Sequence, residues 1–68
     1  MKLTKELITS KELARHLGIH EDNVRKSRAT GTLLGNTAPP YYKLGYIVRY
    51  KVRDIETWVE KNRVEVAA

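Results

Sequence analysis

Arg25, Lys26, Arg28, Lys43, Arg49, Lys51 and Arg53 place seven cationic side chains between Asn23 and Arg53, with no Asp or Glu among them. The rest of the 68 residues carries six basic groups against eight acidic ones, so the formal charge of +5 arises inside that window. Guanidinium and ammonium groups bind anions, and a one-signed field of this extent calls for a polyanion. Arginine and lysine can pair with guanine O6 and N7 in a major groove, and Asp22 could accept from cytosine or simply favour a helix start.

Other chemistry is poorly supplied. His16 and His20 have the spacing of a helical metal pair, but Gly18 lies between them where a helix should end, and there is no cysteine to complete a site. They read as a surface histidine and a capping histidine. Ser27 has no evident base, Gly31 and Gly35 form no phosphate loop, and no paired carboxylates stand out. No enzyme, metal or cofactor is expected. Apolar runs are short, as at Leu33-Leu34 and Ile47-Val48. A soluble, cytoplasmic protein without a membrane span is expected, in keeping with the lack of cysteine.

The cations need elements to carry them. Ile8-Thr9-Ser10-Lys11-Glu12-Leu13 is a helix start: Thr9 and Glu12 can form a capping box, and Ile8 can pack on Leu13 as a staple. A helix from Ser10 would bury Leu13, Ala14 and Leu17 and stop at a left-handed Gly18. A second helix, Glu21 to about Ala29, follows after a three-residue turn, as in a helix-turn-helix. With Val24 inward, Ser27 lies beside it. Asp22, Arg25, Lys26 and Ala29 then face outward, and Arg28 sits at the border with its head reaching out.

Thr30 to Pro40 reads as a connection, with Leu33 or Leu34 as an anchor into the core. Gly45-Tyr46 between Tyr41–Leu44 and Ile47–Tyr50 signals a hairpin with a type II′ turn. Tyr42 and Leu44 are expected on one face with Val48 and Tyr50, leaving Lys43 and Arg49 on the other. A last helix, about Val52 to Asn62, carries the stripe Val52, Ile55, Trp58, Val59 and Asn62, with Trp58 as the largest contribution to the core. Met1–Glu6 and Val64–Ala68 show no pattern and are expected to fray.

One domain over 1–68, with its core in 7–62, is therefore expected: α+β, mainly helical, a small winged helix-turn-helix with a hairpin wing and a bracing C-terminal helix. Residues 7 to 60 resemble the short winged-helix domains of phage and mobile-element excisionases and the related AlpA-type regulators, whose fold is related to the DNA-binding part of mercury-resistance-type regulators. The stretches that carry the resemblance are Leu7–Glu12, Leu17-Gly18-Ile19, Pro40–Gly45, Val48-Arg49-Tyr50 and Asp54–Val59. The chain departs from the pattern at His20, where the family has Ser or Thr, at Ser27, where it has a large apolar residue, and at Tyr46 and Ile47, where it often has basic ones.

The resemblance implies duplex DNA binding, either as an excisionase-type recombination directionality factor acting with a tyrosine integrase or as an AlpA-type transcriptional regulator. A basic adaptor for an acidic protein is the reading from another class. Asp22, Asn23, Arg25, Lys26 and Arg28 would form the groove-facing set. Lys43, Tyr46, Arg49, Lys51 and Arg53 would meet phosphates from the wing and the start of the last helix, with Tyr46 also able to press into the minor groove. Edge-strand protection is the competing account of Lys43 and Arg49. A bacterial or phage-encoded protein, monomeric in solution and cooperative on DNA, is expected.

Overall fold

The computed structural model describes residues 6–66. In chain order the elements are β1 (Leu7–Ile8), α1 (Ser10–Leu17), α2 (Glu21–Thr30), β2 (Thr32–Leu33), β3 (Asn36–Thr37), β4 (Tyr42–Leu44), β5 (Ile47–Lys51) and α3 (Val52–Lys61). This is a small α+β domain of three helices and an antiparallel sheet ordered β1-β5-β4, with a separate two-stranded pair β2-β3. No helix among the described residues is long and apolar enough to cross a membrane. The expected fraying of the termini falls, for 1–5 and 67–68, outside the described residues.

The helix starts follow local chemistry. Thr9 caps α1 by accepting from the Glu12 amide at 3.0 Å, while Glu12 accepts from the Thr9 amide at 2.9 Å, so two otherwise unpaired donors are satisfied. Gly18 ends α1 at φ 70°, where any Cβ would be strained, and this lets the Ile19 amide donate back to the Ala14 carbonyl at 2.9 Å. The chain thereby turns within three residues into α2. Its cap is His20, whose Nδ1 accepts from the Asp22 amide at 3.2 Å. An imidazole nitrogen does here what a Ser or Thr oxygen usually does.

The core is formed by Leu13, Ala14, Val24, Tyr50 and Ile55, with Ile8, Leu17, Ile19 and Val48 packed around it. Ser27 is buried beside them, its hydroxyl donating to the Val24 carbonyl at 2.6 Å, so a small polar residue costs no unsatisfied group where the resemblance leads one to expect a large apolar one. Tyr50, not Trp58, is the largest fully buried side chain. Trp58 is half-buried and donates its indole N–H to the Thr37 carbonyl, which binds α3 to β3 at the margin of the domain. Of the expected stripe on α3, Ile55 is buried, Val52 and Trp58 are partly buried, and Val59 and Asn62, the latter at the helix's C-cap, are exposed.

Two further expectations change. Thr30–Pro40 is not a plain connection: β2 and β3 pair, Thr32 with Thr37 and Leu33 with Asn36, around a Leu34-Gly35 tip in which both residues have positive φ. Leu33 is the buried anchor and Leu34 is exposed. Residues 7 and 8 are not merely a lead-in to α1 either. They form β1 along β5, and the Val52 amide extends the ladder by donating to the Glu6 carbonyl at 2.8 Å.

Candidate nucleic-acid interface

On α2, Val24 and Ser27 are buried, whereas Asp22, Asn23, Arg25, Lys26 and Ala29 are exposed. The outward set therefore falls where the helical repeat puts it. Arg25 donates from Nη2 to Asp22 Oδ1 at 3.0 Å. That bond, with smaller help from the charges of His20, Arg25 and Lys26, holds the Asp22 carboxyl below its ordinary value. Lys26 has no acidic partner among the described residues. It is the unencumbered cation of this face.

Arg28 does not reach outward as expected. Its Nη1 donates both to Ser10 Oγ at 2.8 Å and to Tyr50 Oη at 3.0 Å, and its guanidinium lies 5.8 Å from the Tyr41 ring centroid and 6.0 Å from that of Tyr50. Two hydrogen bonds and two aromatic faces hold the head where a solvated position would offer only water. Arg28 thus fastens the second half of α2 to the base of the β4–β5 hairpin. Tyr41 and Ser10 are the residues the sequence reading missed, because their partner lies far along the chain.

The hairpin turns at Gly45, with φ 67°, and Tyr46, whose φ is not positive, as a type II′ turn requires. Because the loop has two residues, Leu44 opposes Ile47, Lys43 opposes Val48 and Tyr42 opposes Arg49. Opposed residues share a face, so the expected faces are wrong by one position. Lys43 lies on the side of Val48 and Tyr50 but is exposed towards the tip, and Arg49 lies on the other side with Tyr42, Leu44 and Ile47. Lys43 and Arg49 therefore lie on opposite faces instead of sharing one. Tyr46 projects from the tip with 93% of its surface exposed.

Lys51 ends β5 and occupies the cap of α3 without giving a side-chain cap bond, and exposed Arg53 follows in the first turn. Lys43, Arg49, Lys51 and Arg53 have no carboxylate partner among the described residues. Arg49 donates to the adjacent Val48 carbonyl, at 2.8 Å. Five of the seven cations of the basic window therefore have no carboxylate partner among the described residues, and they sit on α2, both faces of the hairpin and the start of α3. Such a set can take up several phosphates along a backbone. No protein-family model and no curated protein matches the chain.

Proposed function

We propose that this chain is a small winged helix-turn-helix domain that binds duplex DNA, with α2 as the recognition helix and β4–β5 as the wing. The observation that carries the reading is the set of five cations without a carboxylate partner among the described residues, on α2, the hairpin and the start of α3, with α2 and the hairpin clamped together by Arg28. A helix and a wing held at a fixed separation can engage a groove and the adjacent backbone together. Lys26 is the residue aimed at bases or groove-edge phosphates. Lys43, Arg49, Lys51 and Arg53 neutralise phosphates, and Tyr46 contacts the backbone from the tip.

The role that best fits the resemblance is that of an excisionase-type directionality factor of a phage or mobile element, which bends DNA beside an attachment site and assists a tyrosine integrase. Cutting and joining would belong to the integrase. A regulator of the AlpA type would use the same surface. A footprint on DNA flanking its own gene, followed by an excision reaction with purified integrase, separates them: a footprint without any change in excision favours the regulator.

The DNA-binding reading itself is tested by a salt titration. If the five cations each neutralise one phosphate, affinity should drop about 500-fold between roughly 50 and 200 mM salt. Lys26→Ala should weaken binding with no change in thermal midpoint. Absent or salt-insensitive binding would reject the reading in favour of the adaptor for an acidic protein.

A further inference from the structure

The outward face of α2 divides by chemistry. Arg25 and Asp22 hold each other, with Nη2 of the arginine donating to Oδ1 of the aspartate at 3.0 Å. Asn23 is equally exposed, and its carboxamide makes no hydrogen bond among the described residues. Asparagine near a helix start commonly serves as the cap, but here His20 Nδ1 fills that role, and the Asn23 backbone amide donates to the His20 carbonyl at 3.1 Å. Asparagine is also a poorer helix former than alanine, so neither the start nor the interior of α2 gains from it. Lys26 and Ala29 continue the row at a spacing of three, both exposed, and the small Ala29 leaves that row free to approach a flat edge.

We infer that Asn23 is the specificity-determining residue of α2 and reads an adenine in the major groove. The inference rests on the DNA-binding reading and adds a base preference to it. A carboxamide presents an acceptor and a donor side by side, its carbonyl oxygen and its amino group. Adenine offers the complement, N6 as donor beside N7 as acceptor, whereas guanine shows two acceptors, cytosine a single donor, and thymine an acceptor and a methyl group. A phosphate offers acceptors alone, which would set the Asn23 carbonyl against negative oxygens. Lys26 has donors only and suits phosphate or guanine, so it leaves adenine to its neighbour. Arg25 contributes less to base reading while Asp22 holds its head.

The test is selection of bound duplexes from a random-sequence duplex pool by the full chain and, in parallel, by Asn23→Ala. The parent should enrich a sequence with a fixed adenine. Asn23→Ala should lose the preference at that position alone, while keeping the rest of the sequence and the parent's salt dependence. In the enriched duplex, an adenine analogue with carbon in place of N7 should weaken the parent about fivefold and leave the affinity of Asn23→Ala unchanged. The variant should melt like the parent, since position 23 is exposed. An adenine preference that survives Asn23→Ala, equal weakening of both chains by the analogue, or an enriched sequence without a fixed adenine would overturn the inference. Uniform weakening of all duplexes in Asn23→Ala would also overturn it, by making Asn23 a backbone contact. Binding without enrichment would overturn it and leave the DNA-binding reading standing, whereas no binding to any duplex at low salt would reject both.

Discussion

Arg28 and Tyr50, twenty-two positions apart, meet where α2 lies over the sheet: Nη1 of Arg28 donates to Tyr50 Oη at 3.0 Å. Tyr50 is completely buried, so its hydroxyl has no water to fall back on. Its ring also carries the Tyr41 ring, with centroids 6.0 Å apart. One guanidinium thus satisfies a core hydroxyl, caps two aromatic rings and reaches Ser10 at the start of α1.

Arg28→Met keeps the packing of the stem and removes the head. The loss of charged hydrogen bonds, with the Tyr50 hydroxyl left unpaired, should cost about 2 kcal/mol. In a domain of this size that lowers the melting temperature by roughly 8–16 °C. Calorimetry of Arg28→Met beside Lys26→Ala provides the check, since Lys26→Ala, an exposed substitution, should stay within about 0.5 kcal/mol of the parent. Equal melting temperatures for the two variants would mean that the Arg28 head reaches solvent.

Truncation of the two large aromatics should separate them in a way composition does not suggest. Tyr50→Ala empties the centre of a core with few members and should cost about 3–5 kcal/mol, enough to unfold a domain this small. Trp58→Ala removes a half-buried ring and its bond to the Thr37 carbonyl at the margin, and about 2 kcal/mol is expected from partial burial. Urea unfolding followed by circular dichroism should find Trp58→Ala folded and Tyr50→Ala largely unfolded. The reverse order would put the centre of the core under α3.

What could be read from sequence here was whatever is decided within a few residues. Thr9 and Glu12 cap each other across three positions, Gly18 closes its own helix, and Val24 with Ser27 sets the buried side of α2. Gly45-Tyr46 identifies the turn of the hairpin. The strand faces were also calculable from that turn, since a two-residue loop makes Tyr42 oppose Arg49, and the expected faces slipped by one. Other features depend on distant partners. Ile8 becomes a strand residue only because Tyr50 lies beside it, and Arg28 turns inward only because Ser10, Tyr41 and Tyr50 converge there. Border position on a helix wheel does not tell whether a long cationic side chain finds water or a tyrosine.

Asp22 and Arg25 neutralise each other on the outward face of α2, and this predicts a gain of binding. Asp22→Asn frees Arg25 and removes a negative charge, so at neutral pH and low salt DNA affinity should rise several-fold. Reduced affinity confined to one preferred site would instead mark Asp22 as a base acceptor. The same pair has an acid signature. The folded carboxyl titrates below its unfolded value, so its contribution to stability is complete above the unfolded value and is lost as pH falls through the lower folded one. The parent should lose stability more than Asp22→Asn does as pH is lowered through that interval, as measured by thermal melts in a pH series.

The β2–β3 tip offers a stabilising substitution. Leu34 has φ 53° and Gly35 has φ 81°, the pattern of a type I′ turn, whose first central position favours Asn. An L-residue with a bulky side chain in this region costs about 1–2 kcal/mol, and asparagine tolerates it better because its short amide can bond to the local backbone. Leu34 repays little of that cost through burial, since 58% of its surface is exposed. Leu34→Asn should therefore raise stability by about 1 kcal/mol, or roughly 4–8 °C in melting temperature. The gain should persist in Arg28→Met, because the tip shares no partner with that cluster and distant effects add. A lower melting temperature for Leu34→Asn would show that the leucine side chain stabilises the small hairpin more than its backbone strains it.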